Sequence, residues 1–151
     1  MSTDASFAAA QPLGDGPIEA LVVYCSDGRF ARQSEQFVAE HLHLARCDRL
    51  VVPGGPAALI EPDAHHNAFE SAKFLMFAHD VDRVVLIMHE DCGYYAHRRE
   101  LTGASQRRAR QADLGRIADR LRAVNADVRI DAYEARLHED GQTVAFTPQA
   151  L

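Results

Sequence analysis

Cys25-Ser26-Asp27-Gly28-Arg29 closes the apolar run Ala20-Leu21-Val22-Val23-Tyr24. The run is short, uncharged and partly β-branched, which reads as a buried strand. At its end, five residues supply a soft metal ligand, a carboxylate, a permissive glycine and a fixed cation. Open α/β sheets build their sites at the carboxyl ends of strands. A second apolar run, Arg83-Val84-Val85-Leu86-Ile87-Met88, ends in His89-Glu90-Asp91-Cys92-Gly93. If the two strands are adjacent and parallel, they deliver Cys25, His89 and Cys92 to one point. Two thiolates and an imidazole suit tetrahedral Zn²⁺, one ion per chain, with a fourth position left open.

Working outward, the spacing predicts strands over 20–24, 48–52, 83–88, 127–137 and 142–148. Helices are expected over about 30–44, 65–79 and 106–124. Phe30, Phe37, Val38, His41 and Leu42 give the first helix an apolar face, Ala68, Ala72, Leu75 and Met76 the second, and Leu114, Ile117, Ala118 and Leu121 the third. Asp63 is a candidate cap for the second helix. Pro53-Gly54-Gly55-Pro56 is a stiff loop where backbone can approach a ligand, and it lies near the site if its strand is parallel to the first. His138-Glu139-Asp140-Gly141 reads as a hairpin turn. The expected fold class is α/β: a mainly parallel central sheet of about four strands with a C-terminal antiparallel strand, covered by helices on both faces. Residues 1–17 read as an N-terminal arm, either disordered or touching a partner. Residues 18–151 read as a single zinc-binding α/β domain.

Composition narrows the function. The chain has 151 residues, of which 47% are hydrophobic, enough for one core. Sixteen basic against 22 acidic residues give a net charge of −6, which argues against a nucleic-acid binder despite Arg98, Arg99, Arg107, Arg108 and Arg110. Those arginines read as a solvated helix face. Three cysteines with histidines nearby suit a metal site in a reducing compartment better than a disulfide framework. No run reaches membrane-spanning length and no signal peptide is visible, so no membrane partner and a cytoplasmic location are expected.

Asp27 and Arg29 form the catalytic part of the expectation. The guanidinium would keep Asp27 ionised and orient it, preferably through a bidentate contact. Asp27 could then orient a metal-bound hydroxide, or move onto the zinc as a fourth ligand. Gly28 gives the turn its freedom. A closed structural site, Cys25-Asp27-His89-Cys92, and a pair of buried free cysteines beside a core histidine are the competing readings. Cys47, His41, His43, His79 and His138 read as packing or surface residues. His65 and His66 are weaker candidates for a proton shuttle. One of Tyr94 and Tyr95 is a candidate pocket wall.

At this point the sequence resembles the β-class carbonic anhydrases. Cys25-Ser26-Asp27-Gly28-Arg29 matches their C-x-D-x-R motif and His89-Glu90-Asp91-Cys92-Gly93 their H-x-x-C-G motif, in the same order and at strand ends. The resemblance runs from about Leu21 to the C-terminal hairpin. It implies zinc on Cys25, His89 and Cys92, with Asp27 and Arg29 as a catalytic dyad. It also implies reversible hydration of CO₂ to bicarbonate by zinc-bound hydroxide, in a homodimer or higher homo-oligomer. The chain departs from the pattern at Val52-Pro53-Gly54-Gly55-Pro56, at Met88 before the ligand histidine, and at Tyr94 and Tyr95. These positions shape pocket walls. The same fold and ligands resemble those of carbonyl sulfide and carbon disulfide hydrolases, and a non-catalytic zinc protein of this fold is the remaining alternative.

Overall fold

A computed structural model describes residues 6–62 and 67–151. Five strands form one sheet in the order β2-β1-β3-β4-β5: β1 Ala20–Cys25, β2 Cys47–Val52, β3 Arg83–His89, β4 Arg129–Leu137 and β5 Val144–Pro148. β1 pairs in parallel with β2 and β3, β3 pairs in parallel with β4, and β5 runs antiparallel to β4. This is the mixed sheet expected, with its antiparallel strand at the C-terminal edge. The α-helices are α1 (Ala31–Gln36), α2 (Ala68–Ala78), α3 (Gly93–Arg99) and α4 (Gly103–Val124).

β1 carries no polar side chain before its last residues because both its faces are covered. Its alternate residues divide cleanly, as a strand's period of two requires. Leu21 and Val23 pack with Val84, Leu86 and Met88 of β3 against α2 and α4. Ala20, Val22 and Tyr24 pack with Val85 and Ile87 against Phe30, Phe37 and Val38 on the opposite face. Helices therefore cover both faces. In α2, Ala68, Ala72 and Met76 point inward, and in α4 so do Leu114, Ile117, Ala118 and Leu121. Ile117 is fully buried between the two helices and the sheet. Ile117→Ala is expected to cost about 2–5 kcal/mol of stability, the usual loss for a large buried aliphatic, read as a lowered urea midpoint.

Several boundaries differ from the sequence reading. The first helix stops short of Leu44: α1 passes into a π-helical turn over Phe37–His41, and His43 takes a positive φ of 53°. That turn keeps Phe37 and Val38 on the sheet, while His41 ends exposed and stacked on Phe37. The segment after Cys92, where no helix is expected before about Gln106, contains the short helix α3, and α4 begins at Gly103. Asp63, His65 and His66 lie outside the described residues. Residues 6–17 form no helix or strand and run exposed, with the Arg46 guanidinium donating to the Leu13 carbonyl at 3.3 Å.

Candidate metal centre

The topology decides where a site can form. From β1 the chain moves to β2 on one side and then crosses to β3 on the other, so β1 and β3 flank a switch point. Ligand crevices in open α/β sheets lie there, beyond the carboxyl ends of the strands. Tyr24 pairs with Ile87, so Cys25 at the end of β1 stands beside His89 at the end of β3. Cys92 follows three residues later, as the N-terminal cap residue of α3. The ligand atoms of Cys25, His89 and Cys92 all lie within 4.8 Å of one another, and all three residues are buried.

The donor chemistry fits a metal cation. His89 Nδ1 lies 2.6 Å from the Glu90 carbonyl. A carbonyl only accepts, so Nδ1 carries the proton and Nε2 is left with its lone pair. Nε2 is buried without a hydrogen-bond partner among the described residues. A buried acceptor aimed at two sulfurs is costly unless something fills the gap. The thiols show the same demand. The hydrogen bond from Cys92 lowers the Cys25 pKa, with His89 and the Asp27 backbone N–H adding to it against the effect of burial. The same hydrogen bond, with burial, pushes Cys92 up. The two thiols thus pull each other's proton affinity in opposite directions, whereas a soft divalent cation would hold both sulfurs as thiolates.

The surrounding backbone is fitted closely. The Gly54 N–H donates to Cys25 Sγ at 3.3 Å. Gly54 and Gly55 both have positive φ, 79° and 52°. A Cβ on Gly55 would sit 2.6 Å from the Cys25 backbone nitrogen, and one on Gly54 would sit 2.6 Å from the Tyr94 ring. The glycine loop therefore approaches the site, as its strand's parallel pairing requires. Gly55→Ala is expected to destabilise the fold by about 1–3 kcal/mol from backbone strain alone, with the collision at Cys25 added. The check is a lowered Tm together with weaker zinc retention. Gly28, by contrast, is outside the positive-φ region and a Cβ there would meet nothing. The turn does not need its freedom, contrary to the sequence reading.

Asp27 rests on Arg29. Nε of Arg29 donates to Asp27 Oδ1 and Oδ2 at 3.1 and 3.0 Å, and Nη2 donates to Oδ2 at 2.7 Å. The Arg29 backbone N–H donates to Oδ1 at 2.9 Å. These bonds from Arg29 hold the Asp27 carboxyl below the usual carboxylate range. Arg29 Nη2 also donates to the Asp91 carbonyl at 3.1 Å, tying the first motif to the second. Asp27 Oδ2 lies 3.8 Å from His89 Nε2, beside the cluster.

A buried polar network braces Cys92, and it includes Arg110, which is buried rather than on the solvated helix face the sequence reading expects. Gln106 Oε1 accepts from the Cys92 N–H at 2.9 Å, and its Nε2 donates to the carbonyls of Cys92 at 3.3 Å and Leu101 at 2.9 Å. Arg110 donates to Gln106 Oε1 and, at 3.3 Å, to Glu134. Tyr95 is fully buried and donates to Asp113 at 2.7 Å, where Arg99 also pairs at 2.5 Å. Tyr94 lies over Gly54, donates to Glu61, and lines a cavity of about 490 Å³ with Arg98, Arg99 and Arg116. Arg98, Arg99 and Arg110 are thus engaged in carboxylate contacts rather than forming a basic face. Cys47 sits half-buried in β2, and His79 pairs with Asp48 at 2.6 Å, away from the cluster.

Fold and site together define a class: an open α/β sheet with a buried Cys₂His cluster at its switch point. No protein-family model and no curated protein matches the chain. Solved structures do. The carbonic anhydrase from Glaciozyma antarctica is similar over 91% of this chain and 85% of that one, with a TM-score of 0.54 at 17% identity. A mutant of the β-carbonic anhydrase CafD of the filamentous fungus Aspergillus fumigatus is similar over 100% and 97%, with a TM-score of 0.51 at 13% identity. At such identities the likeness is one of fold, and the chain has the fold of the β-carbonic anhydrases.

Proposed function

We propose that this chain is a divergent β-carbonic anhydrase that catalyses the reversible hydration of CO₂ to bicarbonate. The observation that carries the reading is the convergence of Cys25, His89 and Cys92 within 4.8 Å, with Asp27 beside them. Cys25, His89 and Cys92 would hold one Zn²⁺. When bound, zinc supplies a Lewis acid that lowers the pKa of a coordinated water toward about 7. The protein's own part is orientation. Glu90 fixes the His89 tautomer, Gly54 donates to Cys25, and Gln106 clamps the Cys92 backbone. Asp27, held ionised by Arg29, would accept a hydrogen bond from the attacking water or hydroxide and so aim its lone pair at the substrate. Arg29 donates to both carboxylate oxygens, a contact that would hold Asp27 back from a metal on the cluster and leave a fourth position free.

The partner is a small molecule. We further propose a homodimer or higher homo-oligomer and a cytoplasmic location. Phe74 and Phe77, each 69% exposed on α2, favour assembly. Among the described residues no helix is long and apolar enough to cross a membrane. Tyr94 lies over Gly54, whose N–H donates to Cys25, and this bulky neighbour of the cluster favours a small substrate. Turnover of CO₂, carbonyl sulfide and carbon disulfide by zinc-loaded protein, compared side by side, is the test. CO₂ is expected to be favoured over both. A preference for a sulfur-containing substrate would overturn the assignment of CO₂.

A further inference from the structure

We propose that Phe30 is a positioning residue for the metal centre, whose ring sets the tilt of the His89 imidazole and the place of the Arg29 guanidinium. The inference rests on the zinc-site reading above. The Phe30 and His89 rings are stacked, with centroids 4.5 Å apart and planes at 25°. Arg29 Cζ lies 5.6 Å from the centroid of the same Phe30 ring. Phe30 is 7% exposed, so its ring has little freedom to leave. Its backbone N–H donates to the Asp27 carbonyl at 3.1 Å and its carbonyl accepts from Ser34 at 2.9 Å. The ring therefore projects from a fixed point where the Asp27–Arg29 turn meets α1.

The need for such a residue follows from the geometry of His89. Its hydrogen bond to the Glu90 carbonyl fixes Nδ1 but leaves the imidazole able to pivot about that contact. A pivot carries Nε2, at the far side of the ring, away from the two sulfurs. An aromatic face 4.5 Å from the imidazole blocks the pivot on its side. Outer-shell groups that orient a ligand histidine are usually hydrogen-bond acceptors; here a ring adds the restraint that one acceptor leaves out. Because Arg29 lies on the same ring, the group holding Asp27 and the metal-facing imidazole are positioned from one side chain.

The competing role is plain packing, since Phe30 also belongs to the apolar cluster with Tyr24, Phe37, Val38 and Ile87. The two roles differ in what replaces Phe30. Packing needs only apolar volume, so Phe30→Leu should serve. Positioning needs a ring, so Phe30→Tyr should serve and Phe30→Leu should not. The experiment measures zinc affinity by chelator competition, and the ligand-field bands of the Co²⁺-substituted protein, for wild type, Phe30→Leu and Phe30→Tyr. Thermal unfolding of each metal-free protein measures the packing loss separately. Phe30→Leu is expected to bind zinc roughly 3–10-fold more weakly, the scale of one aromatic pair, with shifted Co²⁺ bands. Phe30→Tyr should keep both near wild type. If Phe30→Leu does not fold, Phe30→Met carries the same test. Wild-type zinc affinity and unchanged Co²⁺ bands in the leucine or methionine variant would overturn the inference, whatever its stability. A wild type that takes up no zinc would instead overturn the metal-site reading and this inference with it.

Discussion

Cys92→Ala protein will leave purification essentially without zinc, and its CO₂ hydration will fall to the rate of buffer. Cys92 is 2% exposed, and its sulfur faces Cys25 and His89. Removing it leaves one thiolate and one imidazole, too few to hold the ion against the water it would have to shed. The loss should be larger than the 10–100-fold typical of a changed outer-shell group, because a direct ligand is gone. Cys92 also starts α3 and is clamped by Gln106 through its backbone, which alanine keeps. The fold should therefore survive with reduced stability, and elemental analysis per folded chain isolates the metal effect. Full zinc retention would mean the ligand set is misassigned.

Asp27→Asn is expected to do the opposite: zinc stays and turnover falls by about 10²–10⁴-fold, the usual worth of a positioned acid–base group. The amide keeps the shape of the carboxylate but loses the charge that pairs with Arg29 at 2.7 Å. It also loses one acceptor oxygen, so the hydrogen bonds that Arg29 makes to Oδ1 and Oδ2 cannot all be kept. Asp27 lies outside the Cys25, His89 and Cys92 cluster, so metal content should remain at one ion per chain. Zinc analysis beside stopped-flow rates separates the two variants. Unchanged turnover in Asp27→Asn would remove Asp27 from the mechanism.

Much of this was legible in the sequence, for physical reasons. β1 and β3 are buried on both faces, so they stand out as continuous apolar runs, and each run stops at a cluster of ligand-type residues. Two such stops, on strands separated by α1, β2 and α2, converge on one point if the strands are adjacent and parallel, as they are. The glycine loop was visible because Pro53 and Pro56 bracket it, although the need for Gly55 at a close approach to Cys25 emerges only in three dimensions.

What stayed hidden was polar and buried. Gln106, Arg110 and Asp113 are each at most 3% exposed. They continue, at helical spacing, the inward stripe of Leu114, Ile117 and Leu121. All three lie within the helix expected from about 106, but a hydrophobic pattern assigns no role to a stripe that turns polar. The phase of positions 106, 110 and 113 with 117 and 121 was the available signal. Phe30 was legible as core but not as a partner of His89, because the stack joins residues 59 apart in sequence that only the β1–β3 pairing brings together. Gly28 erred the other way: a glycine in a motif suggested a strained turn, and the turn is ordinary backbone.

The central claim is tested most directly by stopped-flow CO₂ hydration, followed from neutral to alkaline pH, on protein confirmed to carry one zinc per chain. Turnover far above buffer, rising with pH as the coordinated water ionises, is the result predicted here. Zinc-loaded protein that leaves the buffer rate unchanged across that range would contradict the account.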